Sequence, residues 1–139
     1  MKAVRPGIPL NYVGWCFPCH PRSVGRSRRL LREEVRGWPV AAGTAEVAVL
    51  LLSELMTNAC RASRVSRERE IKALCTVDRE RLRIEVADAA PGIPRLRRAG
   101  EDEETGRGLA LVAALADAWD VDLRPRGTGK TVWCELRLP

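Results

Sequence analysis

The residues best suited to chemistry lie in one apolar stretch, residues 45–63, which reads AEVAVLLLSELMTNACRAS. Glu54 and Asn58 stand four positions apart in it, so on a helix they share one face. Burying a carboxylate and an amide costs free energy unless other groups meet them. A hydrated Mg²⁺ ion carrying phosphate oxygens is one such partner, because Mg²⁺ keeps several waters and takes few protein ligands. The alternative is an ordinary helix with two polar residues at the rim of its buried face.

Two glycine-containing turns carry the other candidate binding residues. Asp88 stands where a predicted strand opens into Ala-Ala-Pro-Gly-Ile-Pro, and its carboxylate is placed to accept a hydrogen bond from a ligand's amino group. The alternative is an aspartate that only starts a turn. Gly106, Arg107 and Gly108 precede an apolar helix, and such a turn lets phosphate approach backbone N–H groups at the positive end of the helix dipole. Taken alone, each of these two signals is weak.

Cys16, Cys19 and His20 match the CxxCH pattern by which c-type haem is attached. Haem attachment normally requires export, and the N-terminal residues lack the continuous apolar run of a signal peptide. A zinc site would need further ligands that the sequence does not obviously supply. We therefore expect the five cysteines to be reduced thiols in a cytoplasmic protein. A metal or redox role for the CxxCH residues stays open.

Composition indicates one globular domain with anionic partners. The chain has 139 residues, of which 45% are hydrophobic, and a net charge of +6. A basic balance favours nucleotides, nucleic acids or acidic protein surfaces without choosing among them. Only 4% of residues are aromatic and the arginines are scattered, which does not favour a nucleic-acid-binding surface. No apolar run is long enough to span a membrane.

Hydrophobic periodicity predicts the elements that must position these residues. A tail over residues 1–10 precedes a single domain over residues 11–139, which opens with a strand over 11–17. The other predicted elements are helices over 23–38, 45–63 and 109–119, a hairpin of strands 70–77 and 81–88, and strands over 121–124 and 130–138. Gly43 and Thr44 are expected to cap the central helix. The polar segment 95–105 is a candidate lid.

Four short blocks, in this order and spacing, resemble the ATP-binding domain of the gyrase, heat-shock chaperone, histidine kinase and mismatch-repair (GHKL) superfamily. They are SELMTNA at 53–59, DAAPGIP at 88–94, GRGLALV at 106–112 and GKTVW at 129–133. The resemblance covers residues 15–139 and is strongest to the small anti-sigma factor serine/threonine kinases of bacteria. It implies an α/β (α+β) two-layer sandwich of the Bergerat type. Its sheet would be mixed but mostly antiparallel, with helices on one face.

The resemblance also implies ATP and Mg²⁺ as cofactors and a role for each site residue. Asn58 would ligate Mg²⁺, Glu54 would be the general base, and Asp88 would accept a hydrogen bond from the adenine amino group. The remaining implied binding residues are Gly92 beside the base, Gly106, Arg107 and Gly108 beside the phosphates, and Thr131 in support of the adenine pocket. Two positions depart from the family pattern: Ala90 replaces a glycine and Ala62 replaces a frequent histidine.

The implied function is an ATP-binding regulator that holds a protein partner, either a sigma factor or an anti-anti-sigma-like antagonist, and phosphorylates a serine on the antagonist. The alternative is a non-catalytic interaction module of the same fold, which regulates transcription through protein contacts and binds ATP weakly or not at all. Relatives form dimers, so a homodimer is one expected assembly. A nucleic-acid partner is not favoured, and no membrane association is expected.

Overall fold

The computed structural model describes residues 8–62, 70–88, 103–123 and 129–139, with the backbone alone for residue 62 and residues 103–108. The elements, in chain order, are β1 (Asn11–Pro18), α1 (Pro21–Glu34), a short 3₁₀ helix (Val35–Gly37), α2 (Ala42–Ala62), β2 (Glu70–Val77), β3 (Arg81–Asp88), α3 (Glu103–Leu115), β4 (Ala118–Leu123) and β5 (Lys130–Arg137). Within these ranges, no helix combines the length and apolar character that crossing a bilayer requires.

The five strands form one sheet in the order β1-β2-β3-β5-β4. Every described pairing in it is antiparallel. The predicted α+β fold is therefore confirmed, with a sheet that is wholly antiparallel over the described strands. The predicted hairpin is confirmed at both strands, because β2 and β3 have the predicted bounds and pair across the turn that precedes Arg81.

One face of the sheet, the inner face, packs against the helices. Period-two alternation places Cys75, Ile84 and Val132 on it, and all three are buried. The buried side of α2, including Leu52 and Met56, belongs to the same core. Complete burial of such a side chain stabilises the fold by about 1.5–3 kcal/mol. The inner face therefore holds α2 firmly against the strands that carry Asp88 and Lys130.

The helix α2 begins slightly earlier than its sequence predicted. The backbone N–H of Ala45 donates to the carbonyl of Ala41 at 2.9 Å, which closes the first helical turn. Gly43 and Thr44 therefore lie inside the helix, and their predicted capping role is wrong. The high helix propensity of the alanines around them explains the extension.

The helix α1 also begins before its predicted start, and its cap was not anticipated. His20 is the N-cap residue, and its Nδ1 accepts a hydrogen bond from the backbone N–H of Arg22 at 3.0 Å. Pro21 follows at the first helical position, where a missing N–H costs nothing. The buried hydroxyl of Ser23 donates to the carbonyl of Pro18 at 2.7 Å and ties the helix start to β1.

The largest boundary error concerns α3. The sequence predicted a helix over 109–119, whereas α3 begins at Glu103 and ends at Leu115. Trp119, the last residue of the predicted helix, lies on β4 opposite Cys134 and is 36% exposed. The cause is a tertiary contact, since the N–H of Asp117 donates to the carbonyl of Glu135 at 2.8 Å and draws the chain into the sheet.

Candidate functional site

Asn58 lies near the end of α2 and is only 3% exposed. Its side-chain oxygen is buried and has no hydrogen-bond partner among the described residues. A buried polar atom without a hydrogen bond destabilises the fold by about 1–3 kcal/mol. An oxygen in this state is therefore suited to bind a water or a cation. An amide oxygen is also a ligand that Mg²⁺ accepts. The predicted metal ligand therefore fits the cation that the resemblance implies.

Glu54 lies one helical turn before Asn58, on the same side of α2. It is half-buried, and no described group donates a hydrogen bond to its carboxylate. The residues between the two, Leu55 and Met56, are buried in the core and anchor this turn of the helix. Among the described residues, neither this carboxylate nor the Asn58 oxygen has a hydrogen-bond donor, and the two lie on one side of the helix, as the spacing predicted.

Asp88 is the last residue of β3 and is 3% exposed. It lies on the inner face of the sheet, in register with Ile71 on one side and Lys130 on the other. Its negative charge reaches the end of α2. Burial first, and then the neighbouring Cys19 and the Asp88 charge, raise the pKa of Cys60 to about 12. The structure therefore brings Asp88 to the helix end that carries Asn58.

Thr131 does not join this group. It pairs with Ala87, whereas Lys130 pairs with Asp88. Because neighbouring strand residues face opposite sides, Thr131 lies on the outer face of the sheet and Lys130 on the inner face beside Asp88. The sequence reasoning missed Lys130, although counting alternate positions from the buried Val132 identifies it.

The predicted phosphate-side residues are placed differently from expectation. Gly106, Arg107 and Gly108 lie within α3, so they do not form a turn in front of a helix. The acidic residues of the segment 101–104 favour a helix that starts there, since carboxylates are stabilised near helix N-termini. Gly92, the substitution at Ala90 and residues 95–102 of the candidate lid lie outside the described residues, as does the side chain of Ala62.

The CxxCH residues are dispersed. Cys16 is exposed on β1, Cys19 lies beside Cys60, and the Nδ1 of His20 is used in the α1 cap. Among the described residues, no three or more cysteine, histidine or acidic side chains are grouped to hold a metal ion. A zinc site built from this motif therefore finds no support in the described part of the chain.

Comparison with known sequences decides the family. The family model described as Histidine kinase-like ATPase domain matches residues 17–135. The chain belongs to this family. The match includes α2, the β2–β3 hairpin, α3 and nearly all of β5. The resemblance drawn from the four sequence blocks is therefore confirmed, and family membership supports ATP binding by this histidine kinase-like ATPase domain.

A solved structure shares the fold. A chain in the crystal structure of the SiaB–SiaC complex from Pseudomonas aeruginosa matches with a TM-score of 0.61 and 11% sequence identity. The match covers 91% of this chain and 89% of that chain, so the whole domain takes part in it. No curated protein sequence matches the chain.

Proposed function

We propose that this histidine kinase-like ATPase domain is a regulator that binds Mg-ATP and a protein partner, and that it phosphorylates a serine on an antagonist of that partner. The observation that carries the proposal is the buried, unmet side-chain oxygen of Asn58. It lies one helical turn beyond the uncommitted carboxylate of Glu54, on the helix whose end meets Asp88. The regulator would act in the cytoplasm.

Each residue has a task in this proposal. The Asn58 oxygen would be a ligand of Mg²⁺, and the ion would supply charge neutralisation at the phosphates. The Asp88 carboxylate would accept from the adenine amino group and orient the base. The Glu54 carboxylate would take the proton of the serine hydroxyl as the serine oxygen bonds to the γ-phosphorus of ATP and the bond from that phosphorus to the β-phosphate oxygen breaks, which releases ADP. Phosphoryl transfer depends mainly on positioning and charge, which fits a site with so few functional groups.

The structure changes the residues that we assign to the adenine pocket and to the phosphates. Because Lys130 and not Thr131 shares the side of the sheet with Asp88, we assign support of the adenine pocket at β5 to Lys130. Gly92 would let the chain pass close to the base. Gly106, Arg107 and Gly108 would lie close to the phosphates, within the first two turns of α3.

The partner is expected to be a protein. SiaB, named in the matched structure, forms a complex with SiaC. By analogy, this chain would hold a sigma factor or an anti-anti-sigma-like antagonist, and the kinase activity would modify the antagonist. A homodimer is the proposed assembly because relatives of the resembled branch are dimeric.

A second candidate function is a non-catalytic interaction module. The observation that favours it is the position of Gly106, Arg107 and Gly108 within a helix, where most backbone N–H groups are used by the helix itself. The module would keep the fold and its protein contacts while it binds ATP weakly or not at all.

The deciding experiment is calorimetric titration of the protein with ATP, with and without Mg²⁺. We expect Mg²⁺-dependent binding that Asn58→Ala abolishes. The matched control is Thr57→Ala, which changes the adjacent residue, whose hydroxyl donates to the carbonyl of Ser53 within the helix. Absence of binding by the wild type at millimolar ATP would reject the kinase proposal and favour the module.

A separate variant tests Glu54 as the base in phosphoryl transfer. Glu54→Gln keeps the size of the side chain and removes its basicity, so it should spare Mg-ATP binding and stop phosphoryl transfer. The measurement is transfer of labelled phosphate to candidate antagonist proteins. Transfer at the wild-type rate by Glu54→Gln would show that Glu54 is not the base.

A further inference from the structure

Two cysteines from distant parts of the chain meet next to the candidate site. Cys19 follows β1 and Cys60 lies in the last turn of α2, 41 positions later. The Cys19 thiol donates to the carbonyl of Cys60 at 3.3 Å, and the Cys60 thiol lies 3.7 Å from the carbonyl of His20. Each thiol therefore lies against the backbone of the segment that carries the other. Side chains in such reciprocal contact need only small rotations to approach bonding distance.

The other three cysteines are placed differently. Cys16 is exposed on β1, on the opposite face of the strand from the buried Phe17. Cys75 and Cys134 are buried inside the core, where an oxidant from solvent does not reach them. Cys19 and Cys60 are each half-buried. They are therefore the one described thiol pair that combines mutual contact with access from solvent.

We propose that Cys19 and Cys60 are a reversible oxidation site, which closes to a disulfide in the presence of hydrogen peroxide. The Cys19 sulfur attacks one peroxide oxygen, the O–O bond breaks, and Cys19 becomes a sulfenic acid as water leaves. The Cys60 sulfur then attacks the Cys19 sulfur, and the displaced hydroxide leaves with the Cys60 proton as a second water. Two electrons pass from the thiols to one peroxide, and a small-molecule thiol reverses the reaction.

The reaction balances in either order of the two thiols, because the sulfur that is oxidised first is attacked by the other, which lies against the same backbone segments.

The bond would fix one end of the candidate site. It would join the β1–α1 junction to α2, two residues beyond Asn58 and within reach of the Asp88 charge. A crosslink across these elements restricts the movement of the helix end against the sheet. In a part of the inference that rests on the proposed function, we expect the crosslink to change the affinity for Mg-ATP about threefold or more.

The first test needs no variant. The full chain is treated with one equivalent of hydrogen peroxide, digested without reduction and mapped by mass spectrometry. A linked pair of peptides containing Cys19 and Cys60 is the expected major product, and its formation should raise the melting temperature by about 5–10 °C. A Cys16–Cys19 link as the major product, or oxidation without any crosslink, would overturn the proposal.

The variants separate the disulfide from its effect on the site. Cys19→Ser and Cys60→Ser should each abolish the peroxide-induced rise in melting temperature, and Cys16→Ser is the control that should keep it. Comparing Mg-ATP affinity before and after oxidation then tests the coupling. Equal affinities would refute the coupling and leave the mapped disulfide standing. Absence of ATP binding in both forms would refute the proposed function, on which the coupling rests.

Discussion

The two faces of the sheet differ in whether their buried polar groups have partners within the described chain. On the outer face, Glu135 and Trp133 are 5% and 6% exposed, and Arg83 covers both. The Arg83 guanidinium lies 4.2 Å from the centre of the Trp133 ring, 3.0 Å from the Glu135 carboxylate and 3.2 Å from that of Glu85. Every charge in this cluster meets an opposite charge or an aromatic ring.

On the inner face, the buried side-chain oxygen of Asn58 has no hydrogen-bond partner among the described residues. Asp88, which is also buried on this face, differs from Asn58 because Lys130 pairs with it across the sheet. The contrast separates two meanings of a buried polar residue. A cluster whose polar groups pair with one another contributes to the stability of the fold. A buried atom without a hydrogen-bond partner in the described chain indicates a binding site for a group that the chain does not supply.

The largest loss should come from breaking the inner face. Ile84 is fully buried at the centre of the sheet, so Ile84→Ala removes apolar contacts and leaves a cavity. We expect the free energy of unfolding to fall by about 2–5 kcal/mol. The measurement is urea denaturation. The matched control is Leu50→Ala, at a position on α2 that is 40% exposed, where a loss as large as that of Ile84→Ala would contradict the placement of the core.

A smaller loss should come from breaking the outer face. Arg83→Met keeps much of the side-chain volume but leaves Glu135, among the described residues, with only the Arg81 ion pair at 3.4 Å. Because an incompletely paired buried carboxylate is unfavourable, we expect a loss of about 1–3 kcal/mol in the same denaturation experiment. Glu85→Gln, at the more exposed end of the cluster, should change stability by about 0.5 kcal/mol or less. Equal losses for the two variants would mean that the cluster is not organised around Glu135.

A substitution at Asn58 should change the free energy of unfolding in the opposite direction to one in the outer-face cluster. Asn58→Leu replaces a buried, unmet amide with an apolar side chain of similar size. We expect the free energy of unfolding without ligand to stay level or rise by about 1 kcal/mol, while Mg²⁺-dependent ATP binding disappears. A loss of more than about 2 kcal/mol would place Asn58 with the structural polar residues of the outer face.

The smallest effect should appear only at alkaline pH. Burial raises the pKa of Cys134 from its ordinary value of 9.0 to about 12 in the folded protein. Above pH 9 the unfolded chain loses this proton while the folded chain keeps it, so stability falls as pH rises. The loss attributable to Cys134 should reach about 1 kcal/mol near pH 10. Cys134→Ala should show a flatter pH dependence than the wild type, and Cys16→Ser an unchanged one.

Local patterns predicted the parts of the molecule that depend on local rules. Period-two alternation predicted the strand over 81–88, and Leu82, Ile84 and Val86 lie together on its buried face. Four-residue spacing placed Glu54 and Asn58 on one side of a helix. The spacing could not show that the Asn58 oxygen would be unmet, because that depends on which distant groups reach it.

Long-range contacts explain what the sequence did not predict. The end of α3 is decided by Asp117, whose backbone and carboxylate both bond to β5. The approach of Cys19 to Cys60 depends on how α2 crosses the sheet. The capping role of His20 was missed because histidine is not among the favoured N-cap residues. Of these features, only the position of Lys130 could have been predicted from the sequence, because alternate residues of β5 lie on the same face of the sheet.

The position of β1 at the edge of the sheet has a consequence for synthesis on the ribosome. Among the described strands, β2 and β3 are sequence neighbours that pair, as are β4 and β5. β1 pairs only with β2 in this set, and α1 and α2 separate the two along the chain. β1 is therefore translated first among these strands, and both helices are synthesised before its partner β2 emerges. During that interval its backbone N–H and C=O groups are unpaired and available to other chains. Pulse-labelling of stalled nascent chains should find β1 unprotected until all of β2, through Val77, has emerged from the ribosome.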